Sequence, residues 1–266
     1  MSEENRHGID ELIAFAMDVI HEVGEKGMEY YGKGQPQVHF DEALVTEAEL
    51  HLTEFFQNRL NKHFPEHHLF KDMLESSDYS HEGERYLWIF DPMDGVANYQ
   101  AGIPIWGMSL ALIENFWPVF GVFYMPATGD LFHARAGQDA FWGNERIRIS
   151  NHDPIDDESL LLTYSRFHQH FSCSFPGKIR ALGCTGAHIC YVAMGRADAV
   201  IIANESFQDL AAVRVIIEAA GGQICKIDGR PFHLNEYLDG QRIEGHLLIT
   251  SSEKLNQVKE SLTPSF

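Results

Sequence analysis

The sequence predicts a layered α+β fold with one functional site held between its layers. Three observations carry that expectation. The chain has 266 residues, ample for a large core. From Tyr86 onward its first half runs through short apolar strands joined by tight turns, an antiparallel texture. After Pro154, short strands alternate with amphipathic helical stretches. No repeat, low-complexity tract or linker separates the halves, so residues 1–266 are read as one domain: an antiparallel-rich half at 1–150 and an alternating half at 151–266.

The elements follow from local pattern. Ile9, Leu12, Ile13, Ala16, Ile20 and Val23 recur with helical period over residues 9–31, until "YGKGQPQVHF" breaks it. A second helix is expected from Thr46, where Thr46-x-x-Glu49 reads as a capping box, through Leu50, Phe55, Phe56 and Leu60 to Pro65. "YLWIF" is a buried strand ending at Asp91. "WGMSLALIENFWPVFGVFYMP" supplies two strands turning at Glu114-Asn115, and "DLFHARA" a third. Beyond Pro154 come strand "SLLLTY", helix "GAHICYVAMG", strand "ADAVII" and helix "LAAVRVIIEAAGG", stopped by Gly221-Gly222. Strands "QICKID" and "HLLIT" and a closing helix "SSEKLNQVKESL" finish the chain.

Composition narrows the function. A net charge of −19 disfavours nucleic acid and anionic membrane as partners, since either needs a basic surface. No run approaches the length of a membrane span, and the polar, acidic start is unlike a secretory signal. Four cysteines without CxxC spacing, in a chain that needs no staples, point to a reducing cytoplasm. His168-x-His170 lacks matching acids and reads as a loop pair rather than a transition-metal site. Cys184 has no histidine partner in sequence and is not read as a nucleophile.

The chemistry concentrates in "WIFDPMDGVANYQ". Aspartate is a poor strand residue, so Asp91 and Asp94 at the end of an apolar run need a reason. Either they cap a turn, or both carboxylates converge on hard cations, which take oxygen ligands. Pro92 stiffens the turn, and the Met93 carbonyl is a further oxygen donor. Gly95 lets a ligand approach the backbone, and the N–H groups of Gly95 and Val96 could cradle a phosphate.

These residues resemble the inositol monophosphatase family, the Mg²⁺-dependent, lithium-sensitive phosphatases. The first family signature, D-P-[IL]-D-G-T-x-N-[FY], is met by Asp91, Pro92, Asp94, Gly95, Asn98 and Tyr99. The second, running from W-D-x-A-[AG]-G to E-A-G-G, is met loosely by "QDLAAVRVIIEAAGG", with Asp209 in register. "ALVTEAE", "FPEHHLF", "NERIRIS", "RALGCTGA", "GRAD" and "DGRPF" follow in family order. The resemblance implies an αβαβα sandwich, a homodimer, and Mg²⁺ held by Asp91, Asp94, Asp209, the Met93 carbonyl and an upstream acid. Counting from the [YF]-P-x-H element places that acid at Asp72, with Glu75 fitting less well. It also implies catalytic roles for Asp72 and Asp94, phosphate at Gly95 and Val96, and polyol or sugar contacts from Gly183, Cys184 and Thr185.

Three positions depart from the family. Its water-orienting threonine is Val96, its tryptophan before the second-signature aspartate is Gln208, and its inositol-contacting glutamate falls on Ile202, with Glu205 nearby. The expected function is Mg²⁺-dependent hydrolysis of a small phosphorylated polyol, sugar or nucleotide. The alternative is a catalytically weakened relative that acts by binding.

Overall fold

Apolar periodicity settles the first two helices. The computed structural model describes residues 8–34, 42–70, 86–115, 117–150, 154–238 and 241–265. Helix α1, Ile9–Met28, buries Leu12, Phe15, Ala16, Val19, Ile20 and Val23 on one stripe. Helix α2, Glu42–His63, buries Val45, Ala48, Leu52, Phe56 and Leu60. It starts four residues before the expected capping box, so Thr46 and Glu49 are interior to the helix, and Leu50 is exposed. The difference has a physical basis: Val45 and Ala48 extend the buried stripe one turn upstream, and packing outweighs the local capping pattern.

The first sheet has seven strands in chain order. They are β1 (His68–Leu69), β2 (Tyr86–Asp94), β3 (Gly107–Glu114), β4 (Trp117–Met125), β5 (Asp130–Arg135), β6 (Ala140–Trp142) and β7 (Glu145–Ile147). Only β1 pairs in parallel; the rest are antiparallel. Asn115, at φ 51°, makes the expected turn after β3. A short helix α3, Val96–Ala101, leaves the end of β2. Trp88, Leu110, Leu112 and Val122 face α1 and α2, whereas Leu87, Ile89, Ala111, Ile113 and Phe123 face the opposite way. Both faces are therefore covered, which explains why β3 reads as a continuous apolar run rather than an alternation.

The second sheet has the order β10-β8-β11-β13-β12. It contains β8 (Leu160–Thr163), β10 (Lys178–Arg180), β11 (Ala199–Ala203), β12 (Gln223–Lys226) and β13 (His246–Thr250). β8, β10 and β11 are parallel, and β13 runs against both β11 and β12. Helices α5 (Thr185–Ala193) and α6 (Phe207–Ala219) lie between the two sheets and share one core with both. The approach is close: a Cβ on Gly121 of β4 would fall 2.2 Å from the Ala212 carbonyl oxygen of α6. Outside the second sheet, Leu161, Ala199, Ile201 and Leu248 pack on Phe167 of α4 (Phe167–His170) and Val258 of α7 (Leu255–Glu260). Helix, sheet, helix, sheet, helix is the predicted sandwich.

Two details differ from expectation. The closing helix is short because Leu262–Pro264 forms strand β14 against β9, Phe171–Cys173. His168 and His170 lie in the one-turn α4 rather than a loop, and His170 Nδ1 is 2.8 Å from the Tyr164 hydroxyl. Among the described residues no helix is long and apolar enough to cross a membrane.

Candidate active site

The site begins with an irregularity in β2. Asp91 pairs with Ser109 and Asp94 with Gly107, so three steps on β2 match two on β3. That is a one-residue bulge. Side chains three apart on a regular strand face opposite sides; the extra residue turns Asp91 and Asp94 to the same side. Pro92 has no N–H to lose from the ladder there. Met93 is buried, and its N–H bonds Asp91 Oδ1 at 3.2 Å, closing the turn. Gly95 then caps α3 at φ 85°, where an added Cβ would meet Cys184 Cβ and the Ile105 carbonyl oxygen, each at 3.0 Å. Only glycine makes that step without strain.

The middle helix layer supplies the other wall. Asp94 accepts from the Thr185 N–H at 3.1 Å and from the Gly186 N–H, the first two N–H groups of α5. Asp209 sits in the first turn of α6 and forms a capping box with Ser206. Asn98 donates to the Ile105 and Leu182 carbonyls at 2.6 and 2.7 Å, tying α3 to the loop before α5. His188 steadies that loop by accepting from the Leu182 N–H at 2.9 Å; burial lowers it to about 4, so it stays neutral. Three helix N-termini thus converge on one carboxylate cluster, an arrangement that favours negative charge.

A pocket of about 240 Å³ results, lined by Asp91, Met93, Asp94, Gly95, Val96, Thr185, Asn204, Glu205, Asp209 and Arg242. Most of the expected site residues are brought together there. Cys184 instead caps α5 as a buried residue whose thiol bonds Asp94, and Gly183 packs on the Asn98 amide. Asp72 and Glu75 lie outside the described residues. Ile202 is a core residue of β11, while Glu205 enters the pocket from the loop beyond it and accepts from Thr185 Oγ1 at 2.8 Å.

Electrostatics sets the chemistry. Desolvation, reinforced by Asp94 and Asp209, lifts Asp91 well above the usual carboxylate range. Desolvation also raises Asp94, against the opposing bonds from Gly186, Thr185 and Cys184. Burial, then the charges of Asp94 and Asp209, push Glu205 up to about 8. Glu49 on α2 adds a further negative charge felt at Asp91. In sequence Glu49 reads only as part of a cap. Asn204 and Arg242 carry no sequence signal at all, since both lie in irregular segments without a motif.

The donor set is chemically suited to a hard divalent cation: all oxygen, several carboxylates, and too little positive charge. Ser109, cross-strand from Asp91, keeps a buried hydroxyl without a hydrogen-bond partner among the described residues, a further oxygen on that side of the sheet. Among the described residues no three acidic, histidine or cysteine side chains form a closed ligand group. The aspartates share a pocket while spending oxygens on backbone N–H groups.

Comparison with known proteins gives the family and the fold. Residues 9–257 match the family model described as the inositol monophosphatase family. A fructose-1,6-bisphosphatase/inositol-1-monophosphatase of Thermotoga maritima is 28% identical over 224 residues, covering 81% of this chain and 85% of its own. The Nus factor SuhB of Xylella fastidiosa is 33% identical over 155 residues, 54% of this chain and 56% of its own. Among solved structures, a Thermotoga maritima IMPase superposes with a TM-score of 0.75 at 24% identity, covering 94% of this chain and 96% of its own.

Proposed function

The chain belongs to the inositol monophosphatase family, and from that membership we propose that it is a Mg²⁺-dependent hydrolase of a small phosphorylated polyol, sugar or nucleotide. One observation supports this reading above the others: Asp91, Asp94 and Asp209 arrive from β2 and α6 at a single pocket beside the Gly95–Val96 backbone. Asp91, Asp94, Asp209 and the Met93 carbonyl would hold Mg²⁺, with Asp72 as the further acid. When bound, the ion would act as a Lewis acid on the phosphoryl group and make a bound water more acidic.

The chain's own groups account for the rest. The N–H groups of Gly95 and Val96 would receive phosphate oxygens at the start of α3. Glu205 would face the leaving group, with Thr185 fixing its orientation. The leaving group thus meets Glu205 in place of the acid that the family resemblance expects at Ile202. The test is a phosphatase screen over phosphate monoesters and bisphosphates with and without Mg²⁺, with Asp94→Asn as the blank. Turnover that ignores Mg²⁺, or survives in Asp94→Asn, would end this reading.

Val96 favours a second reading. The side chain of Val96, at the first position of α3, cannot hydrogen-bond a nucleophile. A weakened family member that acts by binding fits that substitution, and one relative at 33% identity carries the name of a Nus factor. The same screen separates the two: retained Mg²⁺ and phosphate binding with no turnover anywhere would favour the binder.

A further inference from the structure

Arg242 is the single cationic side chain among the described residues lining the pocket. It stands in an irregular segment before β13, and that segment is docked rather than loose. The Ile243 N–H bonds the Glu205 carbonyl at 2.7 Å, and the Ile243 side chain is buried in the shared core. Arg242 Nη1 donates to the Asn204 carbonyl, which aims the guanidinium across the end of β11. That bond fixes one side of its fork, and among the described residues no other hydrogen bond engages it. Its side chain is 73% exposed, and Nη1 is 3.7 Å from Asp209 Oδ2, beyond hydrogen-bond length.

The disposition of the other arginines makes this one informative. In a chain with 39 acids and 20 lysines and arginines, an arginine readily finds a carboxylate. Arg59 holds Glu22 at 2.6 Å, Arg135 holds Asp10 at 2.9 Å, Arg214 holds Glu218 at 2.8 Å and Arg230 holds Asp228 at 2.7 Å. Arg242 stands at the mouth of a carboxylate-rich pocket in a looser ion pair, 3.7 Å from Asp209, and its charge is felt at Glu205. Arg180, at the carboxyl end of parallel strand β10, and Arg166, just past β8, add two more guanidinium groups along that edge. Ligands of parallel sheets bind beyond the carboxyl ends of the strands, and here that edge is arginine-rich.

We propose that Arg242 selects phosphate esters whose leaving group carries a second anionic group, a phosphate or a carboxylate. The inference rests on the phosphatase reading of the pocket and adds the class of substrate. The reactive phosphate lies on the Gly95 side, and the leaving group lies toward Asn204, Glu205 and Arg242. A planar guanidinium with free N–H groups recognises a phosphate or carboxylate through paired, charge-assisted bonds. Lysine would keep the charge and lose that fork.

The test pairs glucose 1,6-bisphosphate with glucose 1-phosphate, measuring kcat/KM with Mg²⁺ and, separately, calorimetric affinity without turnover. Wild type should prefer the bisphosphate. Arg242→Gln should erase that preference, weakening the bisphosphate about tenfold to a hundredfold more than the monophosphate. Arg242→Lys should restore part of it. A carboxylate-bearing phosphate ester, 3-phosphoglycerate, tests the other anion. Equal loss for mono- and dianionic probes, or no preference in wild type by either measure, overturns the selectivity. Preferential binding that Arg242→Gln erases, without turnover of any probe, upholds the selectivity and sinks the hydrolase reading instead.

Discussion

Replacing Glu205 with glutamine tests the electrostatic account of the pocket most directly. In the metal-free protein, burial and the charges of Asp94 and Asp209 carry this carboxyl from an ordinary 4.5 to about 8. The folded state therefore holds a proton that the unfolded chain releases. A group raised in this way contributes its full stability below the unfolded value, near 4.5, and that contribution is lost as pH rises through about 8. Each tenfold gain in proton affinity corresponds to about 1.4 kcal/mol, and allowing for partial solvent exposure the loss across the window is roughly 2–4 kcal/mol. Glutamine keeps an oxygen to accept from Thr185 Oγ1, which sits 2.8 Å from Glu205, and it cannot ionise. Urea unfolding with chelator present, at intervals from pH 5 to 9, measures the difference. The two proteins should be nearly equally stable at the acid end, and the variant should gain steadily toward the alkaline end. Parallel curves would show that Glu205 is solvated in the folded state, and the electrostatic account of the pocket would fall with them.

Three further outcomes follow from the same geometry. Asp94→Asn should reduce turnover about a hundredfold to a thousandfold and abolish stabilisation by Mg²⁺, read by calorimetry. The fold should persist, because one oxygen still accepts from α5. Val96→Thr should raise kcat about tenfold to a hundredfold if wild type is slow, since the swap is nearly isosteric and adds a hydroxyl; steady-state rates at saturating Mg²⁺ decide it. Gly95→Ala should cost roughly 1–3 kcal/mol in chemical denaturation and weaken inorganic phosphate binding, because φ is 85° and the new Cβ presses on Cys184 and the Ile105 carbonyl.

What the sequence makes legible is local. Asp91, Asp94 and Gly95 stand within five residues, and both halves of the sandwich can be read from strand and helix periods. The bulge is what makes that short motif work, and sequence does not reveal it: it exists only as a mismatch between β2 and β3. Glu49 is masked because Thr46-x-x-Glu49 satisfies a local capping pattern, whereas the buried stripe of α2 begins upstream. Ile202 and Glu205 show the same limit. Strand alternation buries Ile202 in the core, and only the end of β11 decides that the next acid enters the pocket. Arg242 carries no sequence signal, since its position depends on the docking of Ile243 onto the Glu205 carbonyl.

The layers meet at this pocket, and that determines what binding there can do. The first sheet contributes the β2 bulge, the middle layer contributes the starts of α5 and α6, and the second sheet contributes the loop beyond β11. Glu49 brings in the charge of the outer helix α2. Each of the three aspartates has backbone N–H partners: Met93 for Asp91, Thr185 and Gly186 for Asp94, Ser206 for Asp209. Those bonds and the helix dipoles favour ionised carboxylates, yet for Asp91 and Asp94 desolvation wins and both are raised. The fold has therefore concentrated more negative charge than its own dipoles can stabilise. A cation bound as proposed would relieve that excess at the junction of both sheets. On the proposed function, cation binding would therefore be coupled to the cohesion of the sandwich, and Arg242, 3.7 Å from Asp209, offsets part of the same charge.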